Sequence, residues 1–206
     1  MLPPLLNVKD FMDSDTANSY DKIALINNAY EIFKKDFIED GVFFDGTRVN
    51  IRNRKLDCSL SDNKCSNDFC SCENCSWKER EDIFQHLTSD YDSNIEQYLT
   101  KQARKLVSKR KNSNPNYKVR TPGVFSKSRT IRIPWLKAII ENSDDKDIIK
   151  KVVPKRENEF TVKLYHKKED YLVIITGMKY ASGTLEFFLT SAYHNPYPTL
   201  LRDFNI

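Results

Sequence analysis

Phe160-Thr161-Val162-Lys163-Leu164-Tyr165-His166, then Lys167-Lys168-Glu169-Asp170, then Tyr171-Leu172-Val173-Ile174-Ile175-Thr176 is the stretch that decides the fold. Two runs of β-branched and aromatic residues stand on either side of a short charged segment, which is the pattern of two strands and a turn. A third run, Thr184 to Tyr193, follows Gly177 and Ser182-Gly183, residues that break strands and make turns. Upstream, Ile133-Pro134-Trp135-Leu136-Lys137-Ala138-Ile139-Ile140-Glu141 predicts a short helix with Pro134 in its first turn, where a missing N–H costs nothing. Helices beside consecutive strands imply an α+β fold class, with an antiparallel C-terminal sheet packed by one or two helices.

Further toward the N-terminus the grammar is helical. Residues 19 to 36 place Ile23, Ile26, Tyr30 and Phe33 near helical spacing, with Ser19 and Asp21 near the N-cap. Val42-Phe43-Phe44-Asp45-Gly46-Thr47-Arg48-Val49-Asn50-Ile51 reads as a hairpin turning at Asp45-Gly46. Two more helices are expected, one from Trp77 to His86 and a longer one from about Ser93 to Lys111 that carries Ile95, Tyr98, Leu99 and Leu106. The pattern stops at Lys111-Asn112-Ser113-Asn114-Pro115-Asn116. The expected organisation is a helical, cysteine-bearing N-terminal region over 1–111, a basic linker over 112–122 and an α+β domain over 123–206.

All five cysteines fall between Cys58 and Cys75, as Cys58, Cys65, Cys70, Cys72 and Cys75. Thiolates are soft ligands, and the Cys72-x2-Cys75 pair can turn both sulfurs toward one tetrahedral Zn²⁺. The competing reading is a disulfide knot. It requires an oxidising compartment, whereas Met1-Leu2-Pro3-Pro4-Leu5-Leu6 does not read as a secretory signal, and five cysteines would leave one thiol over. A structural zinc ion is therefore the expected cofactor. Its ligand set stays open between Cys65, Cys70, Cys72 and Cys75 and a set that draws in Cys58 and His86. No His-x-Glu or His-Glu-x2-His accompanies the cluster, so a staple is expected rather than a reaction centre.

Charge is segregated. The 206 residues carry a net +4, yet from Gln97 to Ile140 there are twelve Lys or Arg and no Asp or Glu, which leaves the other 162 residues at −8. Lys101, Arg104, Lys105, Lys109, Arg110, Lys111, Lys118, Arg120 and Lys127 form the basic arm, followed by Arg129, Arg132 and Lys137. Such a field attracts a polyanion and releases its counterions on contact. Tyr98, Tyr117, Phe125 and Trp135 lie in the same stretch and offer surfaces on which bases can stack. The plainer alternative is a solvated helix face followed by a basic linker. No apolar run approaches the length of a membrane span, so the sequence predicts a soluble, cytoplasmic protein with no membrane partner.

Polar groups gather in the C-terminal half. Arg129 and Arg132 precede the Pro134 helix, His166 closes one strand, and Thr190-Ser191-Ala192-Tyr193-His194 ends the last. Cations with a His, Thr or Tyr across one sheet face are what metal-free RNA cleavage needs. One group takes the 2′-hydroxyl proton, a cation stabilises the phosphorane-like transition state, and another group protonates the leaving 5′-oxygen. Plainer roles also fit: a turn histidine at His166, a core tyrosine at Tyr193, and an exposed His194 before Asn195-Pro196.

The series Arg129-x2-Arg132-Ile133-Pro134-Trp135-Leu136, Phe160 to Tyr165, Asp170 to Thr176, and Leu185-x-Phe187-Phe188-Leu189-Thr190-Ser191-Ala192-Tyr193 resembles the phage- and mobile-element-associated domains of the barnase, EndoU, colicin and RelE (BECR) ribonuclease superfamily over residues 120 to 195. The resemblance implies a small α+β endoribonuclease of toxin or effector type, cutting tRNA, rRNA or ribosome-bound mRNA without a metal, with an immunity or antitoxin protein as a possible partner. By the same resemblance Arg129 and Arg132 contact phosphate, and Thr190 and Tyr193 lie in the active groove. His166 as acid or base is inferred from its residue type. The cysteine module departs from the minimal nuclease domain. Two other classes compete with this one: a non-catalytic zinc-containing adaptor for nucleic acid or protein, and a phage-encoded inhibitor whose basic surface meets an acidic protein.

Overall fold

The structure is a computed structural model that describes residues 1–7, 22–52, 80–90, 108, 112 and 124–204. It is a mixed α+β fold. The chain groups into two compact units, residues 1–52 with 128–206 and residues 53–127.

The larger unit opens with α1 (Lys22–Phe33), which continues into a π-helical segment at Lys34–Asp40. Leu25, Ile26, Ala29 and Phe33 form the buried stripe of α1, and Phe37 stacks on Phe33 with ring centroids 5.2 Å apart. A hairpin of β1 (Phe43–Phe44) and β2 (Thr47–Asn50) follows. Asp45 and Gly46 both take positive φ, 47° and 76°, the pair of dihedrals that lets a two-residue turn match the twist of its strands.

Two short helices precede the main sheet, α3 (Lys127–Thr130) and α4 (Trp135–Glu141), with Pro134 at the start of α4. Four long strands then run as β5 (Ile148–Arg156), β6 (Glu159–His166), β7 (Tyr171–Lys179) and β8 (Leu185–His194), and the described chain closes with α5 (Pro198–Leu201) and a 3-10 turn at Arg202–Phe204. The sheet order is β1-β2-β8-β7-β6-β5. All pairings are antiparallel except one: β2 lies parallel to β8, with Val49 opposite Phe187 and Asn50 opposite Phe188. Residues from both halves of the chain therefore build a single sheet.

Both faces of that sheet are covered, which explains the sequence of β7. Tyr171 to Gly177 is buried without interruption, because a central strand covered on both sides has no solvent face on which to place polar residues. On one face α4 buries Trp135, Leu136, Ile139 and Ile140, and Trp135 meets Tyr171 edge-on at 5.5 Å. On the other, Phe204 packs with Tyr165, Leu172 and Ile174, flanked by Ile149, Tyr193, Leu200 and Leu201. Lys163 ties this C-terminal turn down, donating to the Leu200 carbonyl at 2.7 Å and to Asp203 at 2.6 Å. The N-terminal segment is also held: Trp135 Nε1 donates to Pro3 O at 2.8 Å, and Leu6 N to Ile131 O at 3.0 Å.

In the smaller unit, α2 (Asp82–Thr88) buries Ile83, Phe84 and Leu87, and runs into β3 (Ser89–Asp90), which pairs antiparallel with β4 (Val124–Phe125). His86 lies in the last turn of α2. The five cysteines fall outside the described residues, as does the expected Ser93–Lys111 helix apart from Ser108, which is helical.

Candidate strand-end site

Three strands end together, and their register decides which side chains meet. His166, the last residue of β6, pairs with Tyr171, the first of β7, and Tyr171 pairs with His194, the last of β8. Residues in register on adjacent strands project from the same face, so His166, Tyr171 and His194 form one row across the end of the sheet. Alternation sends their neighbours Tyr165, Leu172 and Tyr193 to the opposite face, where the C-terminal turn packs.

Helix α3, through Arg129, and the turn after it, through Arg132, bring two cations to this end. Arg132 N bonds to Arg129 O at 3.1 Å and Trp135 N to Arg132 O at 2.9 Å, a tight path that keeps the two arginines together; the charges of both act on Tyr171, and that of Arg132 on His194. The Arg129 guanidinium carbon lies 5.2 Å from the centre of the Tyr193 ring, and Arg132 lies 5.1 Å from that of Trp135. Arg132 Nη1 donates to Ser128 O at 2.6 Å. Its Nε is buried without a hydrogen-bond partner among the described residues, and so is Nδ1 of His166. Buried polar atoms are nearly always satisfied, so two such donor or acceptor positions at one sheet end mark a place suited to a polar ligand.

The electrostatics follow from this crowding. Tyr171 is fully buried, and burial holds its phenol protonated far above the usual range, although the fields of Arg129 and Arg132 favour the phenolate. Burial, followed by the charge of Arg132, pushes the proton affinity of His194 below that of a free imidazole; Asp170 and Glu169 oppose this but do not outweigh it. The ring is thus neutral at pH 7 and able to accept a proton. Burial also lowers Arg132 from its usual value. Tyr165 is pushed up to about 12 by burial and by donating its hydroxyl to Asp170 at 2.6 Å.

Of the residues singled out from the sequence, Arg129, Arg132, Tyr193 and His166 all reach this end of the sheet. Thr190 does not. It is the residue skipped where β8 bulges, between the Ile174–Ser191 and Ile175–Leu189 pairs, and its exposed hydroxyl lies 2.8 Å from that of Thr176. It stands four positions before His194 in the strand, about 13 Å away at the usual rise. Lys127 is exposed at the start of α3. Lys101, Arg104, Lys105, Lys109, Arg110, Lys111, Lys118 and Arg120 lie outside the described residues, as do Cys58, Cys65, Cys70, Cys72 and Cys75. Among the described residues no group of three or more His, Cys, Asp or Glu is placed to hold a metal ion, and no helix is long and apolar enough to cross a membrane.

Two members of the cluster escape a reading of the sequence, Tyr171 and Asp170, hidden in an apolar strand and a charged turn; His194 is visible there but reads as an exposed residue before Asn195-Pro196, whereas the structure half-buries it. One signal was available. His166 and Tyr171 flank a four-residue turn, so a hairpin places them opposite each other. The chain matches no protein-family model, no curated protein and no solved structure.

Proposed function

We propose that this protein is an endoribonuclease of toxin or effector type, working without a catalytic metal, with its reaction centre at the strand-end row. The observation that carries the reading is the row of His166, Tyr171 and His194 at one sheet end, with the charge of Arg132 acting on Tyr171 and His194 and that of Arg129 on Tyr171. In the proposed step, neutral His194 removes the proton from a ribose 2′-hydroxyl, and the 2′-oxygen attacks the adjacent phosphorus. Arg132 and Arg129 stabilise the charge that accumulates on the phosphorane oxygens. The bond to the 5′-oxygen then breaks, and His166 passes a proton to that leaving group. The products are a 2′,3′-cyclic phosphate and a 5′-hydroxyl end. Tyr171, held protonated, keeps a hydroxyl donor beside the two imidazoles.

The rest of the chain has a supporting part in this proposal. The basic arm from Lys101 to Lys127 gathers RNA by charge, and tRNA, rRNA or ribosome-bound mRNA are its candidate substrates. Cys65, Cys70, Cys72 and Cys75, or a set including Cys58 or His86, hold a structural zinc ion that staples the smaller unit. The series of arginines, strands and closing Tyr193 that resembles the BECR superfamily favours the same chemistry.

Incubation of the purified chain with RNA in EDTA, followed by analysis of the new termini, tests the reading. Cyclic phosphate ends are expected. Arg132→Ala should slow cleavage about 10²- to 10³-fold and His194→Asn about 10²- to 10⁴-fold, the usual cost of removing an oxyanion-stabilising group or a general base. Intact RNA at an excess of enzyme, or unchanged cleavage by Arg132→Ala, sinks the nuclease reading. Salt-sensitive binding without turnover points instead to the adaptor.

A further inference from the structure

Asp170 makes an unusual set of bonds at the same sheet end. Its backbone is left-handed, with φ at 44°, and so is that of Asn195, at 49°, directly across the strand pair. Asn195 N donates to Asp170 O at 2.9 Å, so the ladder continues one bond past the Tyr171–His194 pair although neither residue is extended. The side chain is held separately, since the Tyr165 hydroxyl donates to its Oδ1 at 2.6 Å. Aspartate and asparagine tolerate left-handed backbone better than most residues, yet the conformation persists only where surrounding bonds enforce it.

We propose that Asp170 is the positioning residue for His194: its carbonyl fixes the end of β8 that carries the imidazole, and its carboxylate, pinned by Tyr165, balances the charge of Arg132 there. This rests on His194 being the proton acceptor of the proposed reaction. The groups that bear on the ring are Arg132 from the turn before α4, and Asp170 and Glu169 from the turn between β6 and β7; Tyr171 pairs beside it. Arg132 and burial disfavour the imidazolium, whereas Asp170 and Glu169 favour it. Withdrawing the Asp170 charge alone leaves Arg132 less opposed.

Asp170→Asn separates the two roles, because asparagine keeps the left-handed backbone, the carbonyl bond to Asn195 and an oxygen for Tyr165, but carries no charge. The His194 ring should then titrate at a pH lower by about 0.5, the size expected of one partly screened charge. NMR of the imidazole protons reads this without substrate, and the acid limb of the cleavage profile should move in the same direction. Asp170→Gly, which also accepts the positive φ, provides a second folded variant. A His194 midpoint that stays put in the folded variants overturns the assignment of Asp170. Failure of the wild-type chain to cleave RNA overturns the nuclease reading, and the imidazole titration still decides whether Asp170 governs His194.

Discussion

Replacing Gly177 with alanine should destabilise the sheet through one aromatic ring. Gly177 pairs with Phe160 on β6 and with Phe187 on β8, and the Phe160 ring lies over the space where a side chain would stand. A Cβ built at Gly177 falls 2.2 Å from Phe160 Cζ, 2.4 Å from Cε2 and 2.7 Å from Cε1. Carbon atoms in contact normally sit about 3.5–4.0 Å apart, so the ring must withdraw by more than 1 Å. It then gives up its edge-on contact with Phe187, now at 6.1 Å and 85°. Forced repacking costs about 1–3 kcal/mol and loss of the aromatic pair about 0.5–1.5 kcal/mol, while replacing a strand glycine returns about 0.5–1 kcal/mol. The net expectation is about 2 kcal/mol, or a melting temperature about 4–8 °C lower for a chain of this size. Urea unfolding of the wild type, Gly177→Ala, Phe160→Ala and the double variant measures it. With the ring gone, Gly177→Ala should be neutral or slightly stabilising, because Gly177 is not among the residues with positive φ. An alanine equally costly in the Phe160→Ala background would refute the steric argument.

Phe204→Ala should cost about 3 kcal/mol in a urea melt, since the ring is 5% exposed and sits 5.4 Å from Tyr165; a loss below about 1 kcal/mol would mean that the C-terminal turn does not cover that face. The Asp203 carboxyl is held below its usual range by its hydrogen bond to Lys163. A depressed folded value gives stability that is present at neutral pH and lost as pH falls through that value, so Asp203→Asn should flatten the acid limb of the stability profile. Chelation should lower the melting temperature of the chain while sparing RNA cleavage, and metal analysis of the purified protein should give a zinc ratio near unity; a metal-free protein that melts identically with and without EDTA would remove zinc from the proposal.

The strands carrying the site were legible because their residues leave little choice. Tyr171 to Ile175 has no polar position, and the Pro134 helix announces its own start. The strand β5 was not legible: Lys150, Lys151, Pro154, Lys155 and Arg156 read as a charged segment. These residues suit the sheet's end, where Lys150 pairs with Asp144, Lys155 with Glu159, and Pro154 sits at a bulge. Arg129 and Arg132 stood out through a 44-residue stretch without a carboxylate, which is a property of composition. His194 and Tyr171 did not, because what makes them notable is their neighbours.

By itself, then, the sequence determined the α+β class, the turn at Asp45-Gly46, three of the four long strands and the concentration of positive charge, all of which depend on residues close together along the chain. Tertiary structure decided that β2 would lie parallel to β8, more than a hundred residues away, and that His166, Tyr171 and His194 would fall into one row beside Arg129 and Arg132. Strand register and burial set those neighbours, and the same burial, with the charge of Arg132, holds the His194 ring neutral. Local pattern cannot encode either, because both arise only when distant segments exclude water from one another.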